Sequence, residues 1–113
     1  MEQPVTLHPG ERIKCPTGIK IAPENPFWCR INGRSGLAAN HGIIPVGGII
    51  DTDYRGEIMV ALHNHSNEDI TIESGERVAQ MVIAPYIFAE YEEVSELEDT
   101  VRGEGGFGST GTK

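Results

Sequence analysis

At 113 residues the chain has room for one domain and no second core of useful size, and so small a unit leaves a site shared between copies open. Its formal net charge of -8 excludes a protein held on nucleic acid by a broad basic face, because such binding rests on neutralising phosphates. The 38% hydrophobic content falls in short runs between 14 glycines and 7 prolines, which marks a folded chain and not a disordered one.

Along the chain, apolar or alternating runs predict strands at Glu11–Cys15, Ile19–Ala22, Phe27–Ile31, Ile43–Val46, Ile58–His63, Ile70–Ile72, Val78–Ala84 and Ile87–Tyr91. Pro9-Gly10, Pro16-Thr17-Gly18, Gly47-Gly48 and Ser74-Gly75 punctuate them as turns. Helical periodicity is confined to one turn after Ser35, through Leu37–Asn40, and a capping-box spacing at Ser95-Glu96-Leu97-Glu98. The class is therefore all-β, a jelly roll or compact barrel. From about Tyr86 acidic residues thicken up to Asp99, and a glycine-rich tail follows, so we expect a β-barrel domain over 1–101 and a flexible arm over 102–113.

A polar N-terminus and the absence of any apolar run near the ~20 residues that cross a bilayer predict a soluble, intracellular and cytoplasmic protein with no membrane partner. Cys15 and Cys29 lack CxxC spacing and read as buried thiols. His63-Asn64-His65 puts two imidazoles on one strand face, too few for a good metal site without a third ligand. Trp28 and Phe27 read as core or subunit-interface residues.

Four segments carry chemistry. The tail, Arg102 to Gly111, has a glycine backbone able to wrap phosphate oxygens, with Ser109 and Thr110 adding hydroxyls. Read alone it is equally a solvated linker, but Arg102 suits phosphate and Phe107 suits stacking on a base, and linkers rarely need either. The run Gly48-Ile49-Ile50-Asp51-Thr52-Asp53-Tyr54-Arg55-Gly56 is, at Asp51 to Tyr54, either a polar hairpin tip or a general base at a strand end with an aromatic platform beside it. Gly33-Arg34-Ser35-Gly36-Leu37-Ala38 and Gly75-Glu76-Arg77-Val78-Ala79-Gln80 each join a turn glycine to phosphate donors. Each also has a plain alternative, helix capping for the first and a half-exposed strand for the second.

Taken together, in this order and spacing, these segments resemble four of the five motifs of trimeric dUTPases, over nearly the whole chain. The resemblance implies a jelly-roll-like subunit in a homotrimer, with sites built from different subunits and the arm of one closing over the site of another. It implies hydrolysis of dUTP to dUMP and pyrophosphate with Mg²⁺, the metal held through substrate phosphates and water without direct protein ligands. By resemblance Asp51 activates the water, and Arg34, Ser35, Gly36 and Gln80 bind phosphate. Tyr54 packs against deoxyribose, and backbone groups of Val46, Gly47, Gly48 and Ile50 read uracil. Phe107 with Gly108 closes over the base, and Arg102, Ser109 and Thr110 hold phosphate. The family's first motif, Ala-Gly-x-Asp-Leu, has no counterpart in this chain, which predicts weakened metal affinity and activity. Two rival functions follow: a non-catalytic or impaired nucleotide-binding regulatory protein on this scaffold, and a deoxycytidine nucleotide deaminase, disfavoured by the Asp51/Tyr54 segment and the Phe107-bearing tail.

Overall fold

The computed structural model describes residues 2–108 and Gly111. Among the described residues, strands β1 (Val5–Leu7), β2 (Arg12–Pro16), β3 (Phe27–Asn32), β4 (Ile43–Pro45), β5 (Ile49–Ile50), β6 (Met59–Asn64), β7 (Ile70–Ile72) and β8 (Gln80–Pro85) are accompanied by one helix, α1 (Ser35–His41), between β3 and β4 in the chain. This is an all-β subunit. The strands form two three-stranded antiparallel sheets, in orders β2-β6-β4 and β5-β3-β8, with β1 and β7 paired as a ribbon.

Alternation builds the core between these layers. On β3 Cys29 and Ile31 turn inward, and on β6 Val60 and Leu62 do so, meeting Cys15 of β2, Ile43 of β4, Ile50 of β5 and Ile72 of β7. Each such aliphatic side chain contributes roughly 1.5–3 kcal/mol by leaving water. Both cysteines are buried free thiols, and burial pushes the Cys15 thiol up. Among the described residues one polar side chain joins the core: Asn64, fully buried, donates to the carbonyls of Leu7 and Glu68 and accepts from the Ser66 amide and hydroxyl. It thereby ties the end of β6 to β1 and to the turn entering β7, leaving none of its own groups unpaired.

Three sequence expectations are corrected. Ile19–Ala22 lies outside the sheets, reached by the Ile58 amide, which donates to the Ile19 carbonyl at 2.8 Å. Gly18 at φ 71 and Pro23 bracket it too closely for a ladder. Ile87–Tyr91 forms no strand; after the Tyr86 amide donates to the Pro26 carbonyl the chain leaves the sheet, and Ile87, Phe88 and Tyr91 are 92%, 84% and 101% exposed. The Ser95–Glu98 spacing forms no helix, since with Val94 and Leu97 exposed there is no apolar face to bury. The structure adds β1 and β5, too short to stand out as apolar runs. The radius of gyration, 19.2 Å, exceeds the ~13 Å of a compact chain this long because the segment after Pro85 reaches away from the sheets.

Candidate active site

The connection from β5 to β6 passes from one sheet to the other, and the chemistry-bearing segment lies on it. Just before β5, Gly47 and Gly48 adopt φ 70 and 108. A Cβ on Gly48 would lie 2.8 Å from the Ile31 carbonyl oxygen, the same strand whose amide donates to the Gly48 carbonyl at 2.7 Å. Val46 is fastened on the other side, its amide donating to the Ala61 carbonyl at 2.9 Å. The Val46–Ile50 backbone is thus bolted to both sheets, a rigid frame for reading a ligand edge.

Past Ile50 the chain turns, the Tyr54 amide donating to the Asp51 carbonyl at 3.1 Å. The Thr52 hydroxyl donates to the Phe27 carbonyl at 2.7 Å, and the Arg55 guanidinium donates to the Thr52 carbonyl at 2.6 Å. Asp51 is exposed at the mouth of two clefts. One, of about 200 Å³, is lined by Ile49, Ile50, Asp51, Tyr54, Glu57 and Met59. The other, of about 400 Å³, is lined by Trp28, Asp51, Thr52, Asp53, Tyr86 and Phe88. Sequence reasoning missed the aromatic wall of the second cleft, with Trp28 assigned to core or interface and Phe88 to a strand.

A third cleft, of about 250 Å³, gathers Arg34, Ser35, Gly36, Leu37 and Gln80. The β3–β8 register makes this possible by pairing Asn32 with Gln80, whose side-chain amide donates to the Gly33 carbonyl at 2.8 Å. Arg34 sits at the N-cap of α1 without a side-chain capping bond, so the capping alternative for it is not realised. Gly42 at φ 67 closes the helix, its amide donating to the Ala38 carbonyl.

These clusters are not together. Ile50 pairs with Cys29, which puts Asp51 level with Trp28, whereas Gln80 pairs with Asn32 at the opposite end of β3. Along a strand this interval is roughly 13 Å, at about 3.3 Å per residue, and Arg34 lies beyond it. In the tail, the Arg102 side chain donates to the Gly105 carbonyl, and Phe107, at φ 51, is fully exposed and followed by Gly108 at φ 90. Ser109 and Thr110 lie outside the described residues. His63 and His65 stack obliquely, ring centroids 5.6 Å apart, and among the described residues no three His, Cys, Asp or Glu side chains converge.

Residues 1–111 match the dUTPase family. The chain belongs to this family. The deoxyuridine 5'-triphosphate nucleotidohydrolase of Rickettsia felis is 54% identical over 112 residues, covering 97% of this chain and 76% of its own length. That of Anaplasma marginale is 50% identical over 114 residues, covering 99% of this chain and 78% of its own. Among solved structures, the dUTPase of Staphylococcus bacteriophage 80alpha with dUPNHPP superposes with a TM-score of 0.86 at 28% identity, covering 97% of this chain and 82% of that one. The jelly-roll-like fold of dUTPases is therefore the frame in which the three clefts sit. Members generally use Mg²⁺. The residues fit a metal that arrives on a triphosphate, since Mg²⁺ keeps several waters and binds through phosphates with few carboxylates, and Asp51 is exposed at its clefts while the donors suited to phosphate line a separate one.

Proposed function

We propose that this chain hydrolyses dUTP to dUMP and pyrophosphate as a homotrimer whose sites are shared between subunits. The observation that carries the reading is the spacing of Asp51 and the Arg34/Ser35/Gln80 cleft at opposite ends of β3. Water held by Asp51 must sit about 3 Å from the α-phosphorus. The β- and γ-phosphates continue from there by only a few ångström, so the phosphate donors must come from a neighbouring subunit. The exposed apolar side chains after β8, Ile87, Phe88, Tyr91, Val94, Leu97 and Val101, give further support, because each gains free energy on burial against another copy.

In this site Asp51 takes a proton from water as the new O–P bond forms at the α-phosphorus. The bond from that phosphorus to the bridging oxygen breaks, and the electron pair leaves with pyrophosphate. Arg34, the Ser35 hydroxyl and the Gln80 amide of the adjacent subunit hold the phosphate oxygens, and Gly36 lets backbone approach them. Mg²⁺ carried in on the triphosphate would supply charge neutralisation there, leaving Asp51 and the phosphate donors to set the line of attack. Tyr54 packs on deoxyribose where a 2′-OH would need room. The frame of Val46, Gly47, Gly48 and Ile50 fixes backbone groups that pair with uracil and mismatch cytosine. Arg102, Phe107, Gly108, Ser109 and Thr110 close over the bound nucleotide, the ring covering the base.

Incubation of the purified chain with dUTP and Mg²⁺, with pyrophosphate and dUMP measured against dCTP and UTP controls, tests this. Release of pyrophosphate from dUTP ahead of both controls is the expected result. Binding of dUTP without turnover would establish a sensor on the same scaffold, and ammonia released from dCTP would establish a deaminase.

A further inference from the structure

We infer that Gly56 is the position that holds Tyr54 in its sugar-discriminating place, and so sets the preference of the site for deoxyribose over ribose. The inference rests on the reading of Tyr54 as the residue that packs against the sugar. The Tyr54 ring folds back across Gly56, and its hydroxyl donates to the Glu57 carbonyl at 2.8 Å. A Cβ built on Gly56 would lie 2.7 Å from Cζ and 3.0 Å from Cε1 of that ring, and closer still to its hydroxyl oxygen. Carbon atoms do not approach so closely, so any side chain at 56 must push the ring off its seat and break the bond to Glu57.

The surroundings turn that displacement into a change of specificity. The turn beneath the ring is closed by the Tyr54 amide to the Asp51 carbonyl and by the Arg55 guanidinium to the Thr52 and Tyr54 carbonyls. The Glu57 carboxylate is itself tied to the Gly18 amide at 3.2 Å. With the backbone fixed from both ends, the ring is the part that yields. Tyr54 shares its cleft with Asp51 and Ile50, so a ring driven away from Gly56 moves within the space that faces the nucleotide. Gly56 does not occupy the left-handed region, unlike Gly47 and Gly48, so alanine there adds no backbone strain and acts through the ring alone. Glycine at this position serves space and not a turn.

The test compares kcat/KM for dUTP and UTP in the full chain and in Gly56→Ala, Tyr54→Ala and the double variant. Gly56→Ala is expected to narrow the ratio of dUTP to UTP by about tenfold, the scale on which small changes in pocket shape discriminate. Tyr54→Ala is expected to narrow it at least as far, and adding Gly56→Ala to it is expected to change nothing more, since no ring remains to displace. If Tyr54→Ala leaves the ratio at the wild-type value, the sugar-packing reading of Tyr54 fails. If Tyr54→Ala narrows the ratio but Gly56→Ala does not, or lowers both substrates equally, the inference about Gly56 is overturned. A Gly56→Ala chain that does not fold is covered by the double variant, in which the crowding is relieved; a further change of the ratio there would overturn the inference as well.

Discussion

Two inactive forms of this chain should restore each other. On the proposed mechanism Asp51→Asn removes the base and Arg34→Ala removes a phosphate donor, and each alone is expected to lower turnover by ~10²-fold or more. Within one chain these residues stand at opposite ends of β3, Asp51 following the residue paired with Cys29 and Arg34 lying beyond the Asn32–Gln80 pair. If each site takes Asp51 from one subunit and Arg34 from the next, random trimers of the two variants contain intact sites. At equal amounts the chance that one neighbour supplies Asp51 is one half and that the other supplies Arg34 is one half, so about one quarter of the sites are whole. Co-refolding or co-expressing the variants should therefore recover about a quarter of wild-type dUTP hydrolysis, while the same proteins assembled separately and then mixed stay inactive. Activity of the co-assembled mixture no higher than that of its components, with mixed trimers present by native mass spectrometry, would refute the shared site.

Three further outcomes follow from the structure. Asp51→Asn should leave dUTP binding by calorimetry largely intact while kcat falls ~10²-fold or more; near wild-type turnover would take the base role from Asp51. Deleting residues 102–113 should keep the melting temperature and oligomer while weakening kcat/KM strongly, with Phe107→Ala reproducing part of the loss, because the exposed ring contributes nothing to the core. Asn64→Ala removes the bonds to Leu7, Glu68 and Ser66 and should cost about 3 kcal/mol, seen as a fall in melting temperature of roughly 10 °C or more with KM for dUTP unchanged; a fall within a couple of degrees would show that this buried amide does not join β1 to β6.

What could be read from the sequence was local. The apolar or alternating runs of β3, β6 and β8 and their glycine and proline punctuation identify strands because each run satisfies its own periodicity, and of α1 a single turn through Leu37–Asn40 is legible, short of its full span Ser35–His41. The run Ile87–Tyr91 carries the same signal, yet a strand exists only against a partner, and this chain by itself provides none after Tyr86. At the site, motif order announced Arg34 and Gln80 as companions, and the Asn32–Gln80 register makes them so. The distance of Asp51 from them was hidden, because it depends on which end of β3 receives β5, a matter of pairing direction that no local pattern encodes. Gly56 was hidden for a related reason: what forbids a side chain there is the ring two residues earlier folding back upon it, a contact in space with no signature in composition.

The passage of the Asp51 segment between the sheets has a consequence for how this protein ages and adapts. One end of the segment is pinned to β3 through Thr52 and Phe27, and the other is pinned beyond it by Ile58 to Ile19 and by Thr17 to Ile58. The two layers meet through their interdigitated aliphatic side chains and through the Val46–Ile50 backbone bonded to both, so any loosening of that contact shifts one anchor relative to the other. On the proposed mechanism the aim of Asp51 thereby becomes a gauge of interior fit: a core substitution that spares the fold is still read out at the surface as a misaimed carboxylate.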